Sequence, residues 1–339
     1  MKRRLYRQIR RLRTPFRRGA VILTYHRVGQ ATSDPQLLSV SPEHFAEHMA
    51  HLNQLGHVTN LPSLVTNLRQ GQLPERAVVV TFDDGYADNL SNAKPLLERH
   101  GVPATVYVAT KLLGQPAEFW WDELENILLL SSTLPELLRV SIDGTDHVWH
   151  LRSSASELAA LPAWTVQSRK APTPRHRAYR DLHQLLRPLP DEKQEAVLAQ
   201  LRDQLPKPFT PRPTHRLLTP DELRSLAAGD LVEIGAHSVT HSMLTSLPLE
   251  AQRREITESK RRLEEILGRT VTSFAYPYGG HEMVSPQTVT LVKESGFASA
   301  CSTIAEPVRL KSDLFFLPRF LVRDWTGEEF ARQMRGFFR

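Results

Sequence analysis

The most informative run of this chain is Ala77-Val78-Val79-Val80-Thr81-Phe82-Asp83-Asp84-Gly85. A β-branched apolar run closed by glycine is typical of a buried strand that ends in a turn, so two carboxylates leave the sheet side by side. Ionised groups out of water are costly unless they are paired, protonated or bound to a cation. The pair therefore predicts either a capped turn with basic partners or a metal site.

Strands and helices alternate along most of the chain, which predicts an α/β fold. Helices are predicted at residues 42–55, 89–100, 249–267, 285–295 and 326–338, and strands at 20–25, 77–82, 104–109, 231–235, 271–275, 298–302 and 315–322. Seven parallel strands would close into a barrel, with the functional groups at the carboxyl ends of the strands.

The alternation is interrupted between residues 119 and 216, a stretch rich in Pro and Arg. Its residues 138–151 alternate around Asp143-Gly144, as a β-hairpin does. We therefore predict a basic N-terminal segment at 1–18, a barrel built from 19–118 and 217–339, and a helical and hairpin insertion at 119–216.

The composition is that of a folded protein. The 339 residues are 40% hydrophobic and 24% charged, which allows a sizeable core. A single cysteine, Cys301, excludes an internal disulfide. No apolar run approaches the roughly 18 residues that a transmembrane helix needs.

Positive charge is concentrated in residues 1–18, which hold nine of the 43 basic residues and no acidic one, leaving 34 basic against 37 acidic elsewhere. Apolar residues recur there at helical spacing, namely Leu5, Ile9, Leu12 and Phe16. A basic amphipathic helix is typical of attachment to an anionic membrane surface. Because a signal peptide core is lacking, we expect a cytoplasmic protein at the inner membrane face. A solvated tail is the alternative, and nucleic acid is not expected because stacking aromatics are scarce.

A second strand end, after residues 231–235, carries His237 and His241. Imidazoles four residues apart can share one helical face and bind one cation. Two imidazoles and one carboxylate form the ligand set of a catalytic zinc site that leaves a position for water. Hydrogen-bonded core histidines are the alternative interpretation.

A competing motif is present at His44, Glu47 and His48, which match the H-x-x-E-H pattern of one class of metalloproteases. These residues fall on a predicted helix whose apolar face is formed by Phe45 and its neighbours. An ordinary surface helix explains them more simply.

A third strand end is followed by Phe274-Ala275-Tyr276-Pro277-Tyr278-Gly279. The ordered set of TFDDG, HSxxH and FxxPYG resembles the NodB-homology polysaccharide deacetylases, carbohydrate esterase family four. The resemblance covers residues 20–323, with the insertion poorly matched. It implies a distorted (β/α)7 barrel and one divalent metal ion, expected to be zinc.

The resemblance also implies roles for individual residues. The metal ligands would be Asp84, His237 and His241. Asp83 would be the general base, and Tyr278 would donate its backbone N–H to the oxyanion.

The acid that protonates the leaving amine is a histidine near the C-terminus in the usual family order, but no histidine follows His281. His26 ends the first strand, which in a closed barrel lies beside the last. This arrangement is similar to the circularly permuted branch of the family, in which a Tyr-His near the start supplies the acid. His281 is the substitute candidate.

Many family members place an arginine after the phenylalanine of the third motif to orient the base, and this chain has Ala275 there. Arg319, on the last predicted strand, could replace it by pairing with Asp83. An arginine on a surface strand end is the alternative. Three further residues could line the substrate cleft: Trp120, Trp121 and Asp122.

The resulting prediction is a metal-dependent deacetylase that removes N-acetyl groups from a polysaccharide or a lipid-linked amino sugar by attack of activated water on the amide carbonyl. The alternatives are an acetyl esterase or deformylase with the same centre, a non-catalytic carbohydrate-binding module, and the H-x-x-E-H metalloprotease. The sequence leaves the oligomeric state open.

Overall fold

The computed structural model of the protein describes residues 19–152 and 164–338. The predicted basic helix at 1–18 lies outside the described residues, as do residues 153–163 of the predicted insertion. Within the described part of the chain, no helix combines the length and the apolar character needed to cross a bilayer.

Seven parallel strands form the central sheet, in the order β10-β9-β8-β5-β4-β1-β11. Their bounds are β1 Val21–Tyr25, β4 Val78–Phe82, β5 Ala104–Val108, β8 Val232–Ala236, β9 Ser273–Ala275, β10 Ser299–Cys301 and β11 Phe320–Leu321. A short parallel pair is formed by β2 (Arg27–Val28) and β3 (Ser39–Val40). The predicted α/β fold, a distorted (β/α)7 barrel, is confirmed.

Helices cover the sheet between its strands. The α-helices of the described residues are α1 Pro42–Leu55, α2 Leu61–Arg69, α3 Lys94–His100, α4 Trp120–Glu125, α5 Pro174–Leu186, α6 Asp191–Asp203, α7 Pro220–Leu226, α8 Leu249–Leu267, α9 Pro286–Glu294 and α10 Gly327–Phe337. The predicted helix 89–100 is α3 preceded by one π-helical turn, Asn89–Ala93.

The two faces of each strand pack into different clusters because side chains alternate along a strand. Ile22, Val79, Tyr107 and Cys301 meet inside the curled sheet, where the apolar face of α2 joins them. The opposite faces of the strands pack against the surrounding helices. This packing holds the strand ends in fixed positions.

The last predicted strand, 315–322, is shorter than expected. Leu317 forms a parallel bridge to Cys301 of β10, whereas Phe320 pairs with Leu23 of β1. Pro318 between them has no N–H to donate, and Arg319 donates its own to Ile304. The final segment therefore touches both edges of the sheet but changes partner at Pro318.

A second apolar cluster lies within the region predicted as an insertion. It is built from α4, α5 and α6 together with the antiparallel hairpin of β6 (Leu137–Ile142) and β7 (Thr145–His150). The predicted hairpin is confirmed, and its turn residues Asp143 and Gly144 have φ angles of 49° and 80°. Positive φ at both central positions is the geometry of a two-residue hairpin turn. The domain limits themselves stay a prediction.

Candidate active site

The predicted site residues lie together at the carboxyl ends of the strands. Asp83 and Asp84 follow β4, His26 follows β1, His237 follows β8, and Tyr278 comes three residues after β9. They line one pocket of about 200 Å³. Parallel strands bring groups that are distant in sequence to one edge of a sheet, which is why the motifs meet.

The backbone is strained where these motifs turn. In the described part of the chain, seven residues other than glycine have positive φ, and four of them are Asp84, Ser238, His241 and Tyr278. A left-handed conformation is uncommon for residues other than glycine, although Asp and His adopt it more readily than most, and backbone strain of this kind is concentrated at functional sites. Gly85 is required by the same turn: its φ is 82°, and a Cβ there would lie 2.9 Å from Val108.

Asp84, His237 and His241 form a buried cluster whose candidate ligand atoms all lie within 4.8 Å of one another. The Nε2 atoms of His237 and His241 are 3.6 and 3.4 Å from Asp84 Oδ1. That carboxylate oxygen is buried without a hydrogen-bond partner in the described residues. An orphaned carboxylate oxygen between two imidazoles has the donor set that a divalent cation requires.

The pKa shifts of the candidate ligands are compatible with a bound cation. Burial, reinforced by the Asp83 carboxylate, raises the pKa of Asp84 well above its usual value. Burial also lowers the pKa of His241 well below 6.5, so its imidazole is neutral at pH 7, with one N–H and one nitrogen lone pair. Neutral imidazoles are the form that binds metals, and a cation would restore the charge on Asp84.

Hydrogen bonds from neighbouring residues orient the candidate metal ligands. His237 Nδ1 lies 2.7 Å from the carbonyl oxygen of Ala275, which leaves Nε2 facing Asp84. The loop that carries His241 is fixed by Glu255 of α8, which accepts hydrogen bonds from the backbone N–H groups of Val239 and Thr240, each at 2.9 Å.

Asp83 is held by an arginine. Arg319 donates to both of its carboxylate oxygens, at 2.7 and 2.8 Å, and also to the carbonyl oxygen of Ser302. Burial alone would raise the pKa of Asp83, but the Arg319 charge outweighs burial and lowers it to about 2. The carboxylate is therefore ionised at neutral pH and fixed in one orientation. Arg319 is fully buried, so it is not the exposed strand-end arginine of the alternative interpretation.

His26 lines the pocket, and its Nδ1 is buried without a hydrogen-bond partner in the described residues. Burial lowers its pKa to about 4, although the Asp83 carboxylate opposes that shift. His281 is exposed and packs on Phe316, so the structure does not bring this substitute candidate into the pocket.

The Tyr278 turn is tied to the strand end of β10. Thr303 donates its hydroxyl to the Tyr278 carbonyl oxygen at 2.7 Å, and its N–H to Gly279 at 3.0 Å. Among the described residues, the Tyr278 N–H donates to no backbone oxygen, so it can serve a ligand.

The competing motif does not form a metal site. His48 is fully buried, with one ring nitrogen 3.2 Å from the Tyr25 hydroxyl and the other 2.7 Å from the Trp325 carbonyl. His44 Nδ1 lies 2.7 Å from Asp324. Both imidazoles are engaged in joining α1 to the segment before α10; the surface-helix interpretation did not expect His48 to be buried.

The pocket contains residues that the sequence did not single out. Only Trp121 of the three expected cleft residues lines it; Trp120 and Asp122 face neighbouring pockets. The residues that complete its wall are Gln36, Leu38, Trp121, His183, Arg187 and Thr303. His183 and Arg187 are four residues apart at the end of α5, whose bounds within the predicted helical and hairpin insertion the sequence did not give, so the signal in the sequence was their spacing.

The comparisons with known proteins agree with this geometry. The family model described as polysaccharide deacetylase matches residues 70–132 and 183–300. The fold and the site define this class of hydrolases, and the chain belongs to the polysaccharide deacetylase family. The family predicted from the three motifs is confirmed, whereas the circularly permuted arrangement stays a prediction.

Among curated proteins, YxkH of Bacillus subtilis, named as a polysaccharide deacetylase, is 37% identical over 108 residues, 31% of this chain. The poly-beta-1,6-N-acetyl-D-glucosamine N-deacetylase of Escherichia coli K12 is 30% identical over 105 residues, 30% of this chain. The matched segments span 37% and 15% of those two relatives.

Among solved structures, the Streptococcus pyogenes deacetylase PplD in complex with acetate superposes with a TM-score of 0.58 and 16% identity. The match covers 93% of this chain and 98% of that one. It shows that the two proteins share a fold.

Proposed function

We propose that this protein is a metal-dependent hydrolase that removes N-acetyl groups from a polysaccharide or a lipid-linked amino sugar. The observation that carries the proposal is the orphaned Oδ1 of Asp84 facing two imidazoles, beside an Asp83 that Arg319 keeps ionised. The relative named as a poly-beta-1,6-N-acetyl-D-glucosamine N-deacetylase supports the same reaction class.

Asp84, His237 and His241 would hold one divalent cation. Two imidazoles and one carboxylate suit zinc, although other divalent transition metals share this preference. When bound, the cation would supply Lewis acidity, which activates a water molecule as a nucleophile at neutral pH.

Three further groups would transfer protons or stabilise the negative charge that develops on the amide oxygen. Asp83 would accept the proton of the attacking water, since it is ionised and oriented by Arg319. The Tyr278 N–H would donate to the oxygen that becomes negative. His26 is neutral at pH 7, so it must gain a proton before it can protonate the leaving amine, and the nearby Asp83 charge favours that gain.

The test is metal content and acetate release, measured on purified wild-type protein and two variants with an N-acetylglucosamine oligosaccharide. We expect His237→Ala to lose both metal and activity. Asp83→Asn should keep the metal but release acetate roughly 100- to 10,000-fold more slowly, because the general base is gone.

His44→Ala is the matched control, because it removes a histidine of the competing motif. It should keep both metal and acetate release; loss of metal in this variant would favour the metalloprotease alternative. An Asp83→Asn protein with full activity would overturn the assigned base. Parallel assays with an O-acetyl and an N-formyl sugar separate the amide, ester and formamide alternatives.

A further inference from the structure

Arg187 lines the active-site pocket, and no described residue forms an ion pair with it. It follows the last residue of α5 and lines the same pocket as Asp83, Asp84 and Trp121. Within residues 19–152 and 164–338, its guanidinium forms no ion pair, and its Nε is buried without a hydrogen-bond partner. A guanidinium has five donors in a fixed fork, so leaving it unpaired in a partly buried position is unfavourable.

Other buried or half-buried arginines of the described chain have a hydrogen-bond acceptor for the guanidinium group. Arg27 pairs with Asp88 at 3.1 Å, the half-buried Arg212 with Glu118 at 2.7 Å, and Arg319 with Asp83, while Arg175 has no carboxylate partner among the described residues and donates to the Ser131 carbonyl at 2.6 Å. The described residues therefore supply a carboxylate or a carbonyl oxygen to each of these guanidinium groups but neither to that of Arg187.

No carboxylate among the described residues of the pocket is paired with the positive charge of Arg187. The carboxylates that line the pocket in the described residues are Asp83 and Asp84. Asp83 is neutralised by Arg319, and Asp84 faces the two imidazoles. The charge of Arg187 reaches two other side chains of the pocket. Burial raises the pKa of Tyr278, and Arg187 opposes that shift; burial lowers the pKa of His183, and Arg187 adds to that shift.

His183 adds a second donor on the same side. It lies one helical turn before Arg187 and lines the same pocket. Burial, with a smaller contribution from Arg187, lowers its pKa to about 4, so its imidazole is neutral at pH 7. A neutral imidazole beside a guanidinium can bind an anionic oxygen without a second positive charge.

A helix-capping role does not account for this arrangement. A cation after the last turn interacts favourably with the helix dipole, but that effect needs only an exposed charge. Arg177, also on α5, is exposed and lies outside the pocket. The buried Nε of Arg187 at the pocket is instead what a binding site for an acceptor group would present.

We propose that Arg187 and His183 form a subsite for an anionic substituent, a phosphate or a carboxylate, carried by the N-acylated sugar substrate. Arginine binds the oxygens of both groups through paired N–H donors. This inference rests on the proposed function and adds a substrate class to it: the preferred glycan is an anionic one.

The test compares kcat/KM for three N-acetylated oligosaccharides of equal length: a neutral one, one with a phosphate and one with a uronic acid. We expect wild-type enzyme to prefer an anionic substrate about tenfold over the neutral one, mainly through KM. Arg187→Gln should abolish the preference, Arg187→Lys should restore part of it, and the control Arg177→Gln should leave the ratio unchanged. The phosphate and uronic acid arms identify which anion is bound.

Equal loss of activity on all three substrates in Arg187→Gln, or an unchanged ratio, would overturn the subsite. A separate calorimetric measurement uses phosphorylated and neutral oligosaccharides that are already deacetylated, so that no hydrolysis is needed. Tighter binding of the phosphorylated probe that depends on Arg187, in a protein that releases no acetate, would support the subsite and reject the proposed function. Equal binding of both probes would reject the subsite alone.

Discussion

Asp83 and Asp84 are neighbours in the chain, yet their surroundings move their pKa values in opposite directions. Both are buried, which favours the neutral acid. Arg319 overcomes this for Asp83 and lowers its pKa to about 2, whereas burial and the adjacent Asp83 charge raise the pKa of Asp84. Titratable pairs whose environments separate their pKa values are typical of divided roles in catalysis. One carboxylate suits proton transfer and the other suits a cation.

Replacing Arg319 with lysine tests the first of these roles. Arg319→Lys keeps a positive charge but cannot donate to both oxygens of Asp83 in a planar fork. We expect kcat for acetate release to fall at least about tenfold while the metal content stays at the wild-type level. The measurement is steady-state kinetics with metal analysis on the same samples.

Arg332→Lys, at an exposed position of α10, is the control and should behave as wild type. A normal kcat in Arg319→Lys would show that the orientation of Asp83 does not depend on the bidentate pair.

Helices α1 and α10 are joined through one buried histidine. His48 of α1 stacks on Phe330 of α10, with ring centroids 4.1 Å apart, and binds the Trp325 carbonyl. Burial is the main cause that lowers its pKa to about 4 from 6.5. Because the unfolded chain takes up a proton below pH 6.5 and the folded chain does not until about pH 4, stability is lost as the pH falls through this window.

The expected size of this effect is measurable by urea unfolding at pH 7 and pH 5. His48 should account for about 2 kcal/mol of the free energy of unfolding lost between these two pH values. His48→Gln cannot titrate, so its loss should be smaller by that amount. His57→Gln, at an exposed position, should lose as much as wild type. Identical losses in all three proteins would contradict the assignment to His48.

For the whole molecule, the charge is divided between a basic segment and a slightly acidic body. Since residues 1–18 hold nine basic residues and the rest has 34 basic against 37 acidic, attraction to an anionic membrane would depend on that segment. Deleting residues 1–18 should abolish co-sedimentation with anionic liposomes while sparing hydrolysis of a free oligosaccharide. Liposome binding that survives the deletion would remove the reason to place the substrate at a membrane.

The parts of the candidate site that follow predicted strands can be predicted from the sequence. Asp84, His237 and Tyr278 were placed together because the carboxyl ends of parallel strands share one edge. His183 and Arg187 were not found, since their position depends on how the second apolar cluster packs over the barrel. The last strand was overpredicted because its apolar residues continue across Pro318, where the backbone changes partner.

The contact between Asp83 and Arg319 joins positions 236 residues apart. A ribosome releases the chain from its N-terminus, so the candidate metal ligands emerge well before the arginine that orients the base. Until the last strand docks against β1, Asp83 lacks the counter-charge that lowers its pKa in the folded protein. The ionised and oriented form of Asp83 therefore depends on the end of the chain, which is synthesised last.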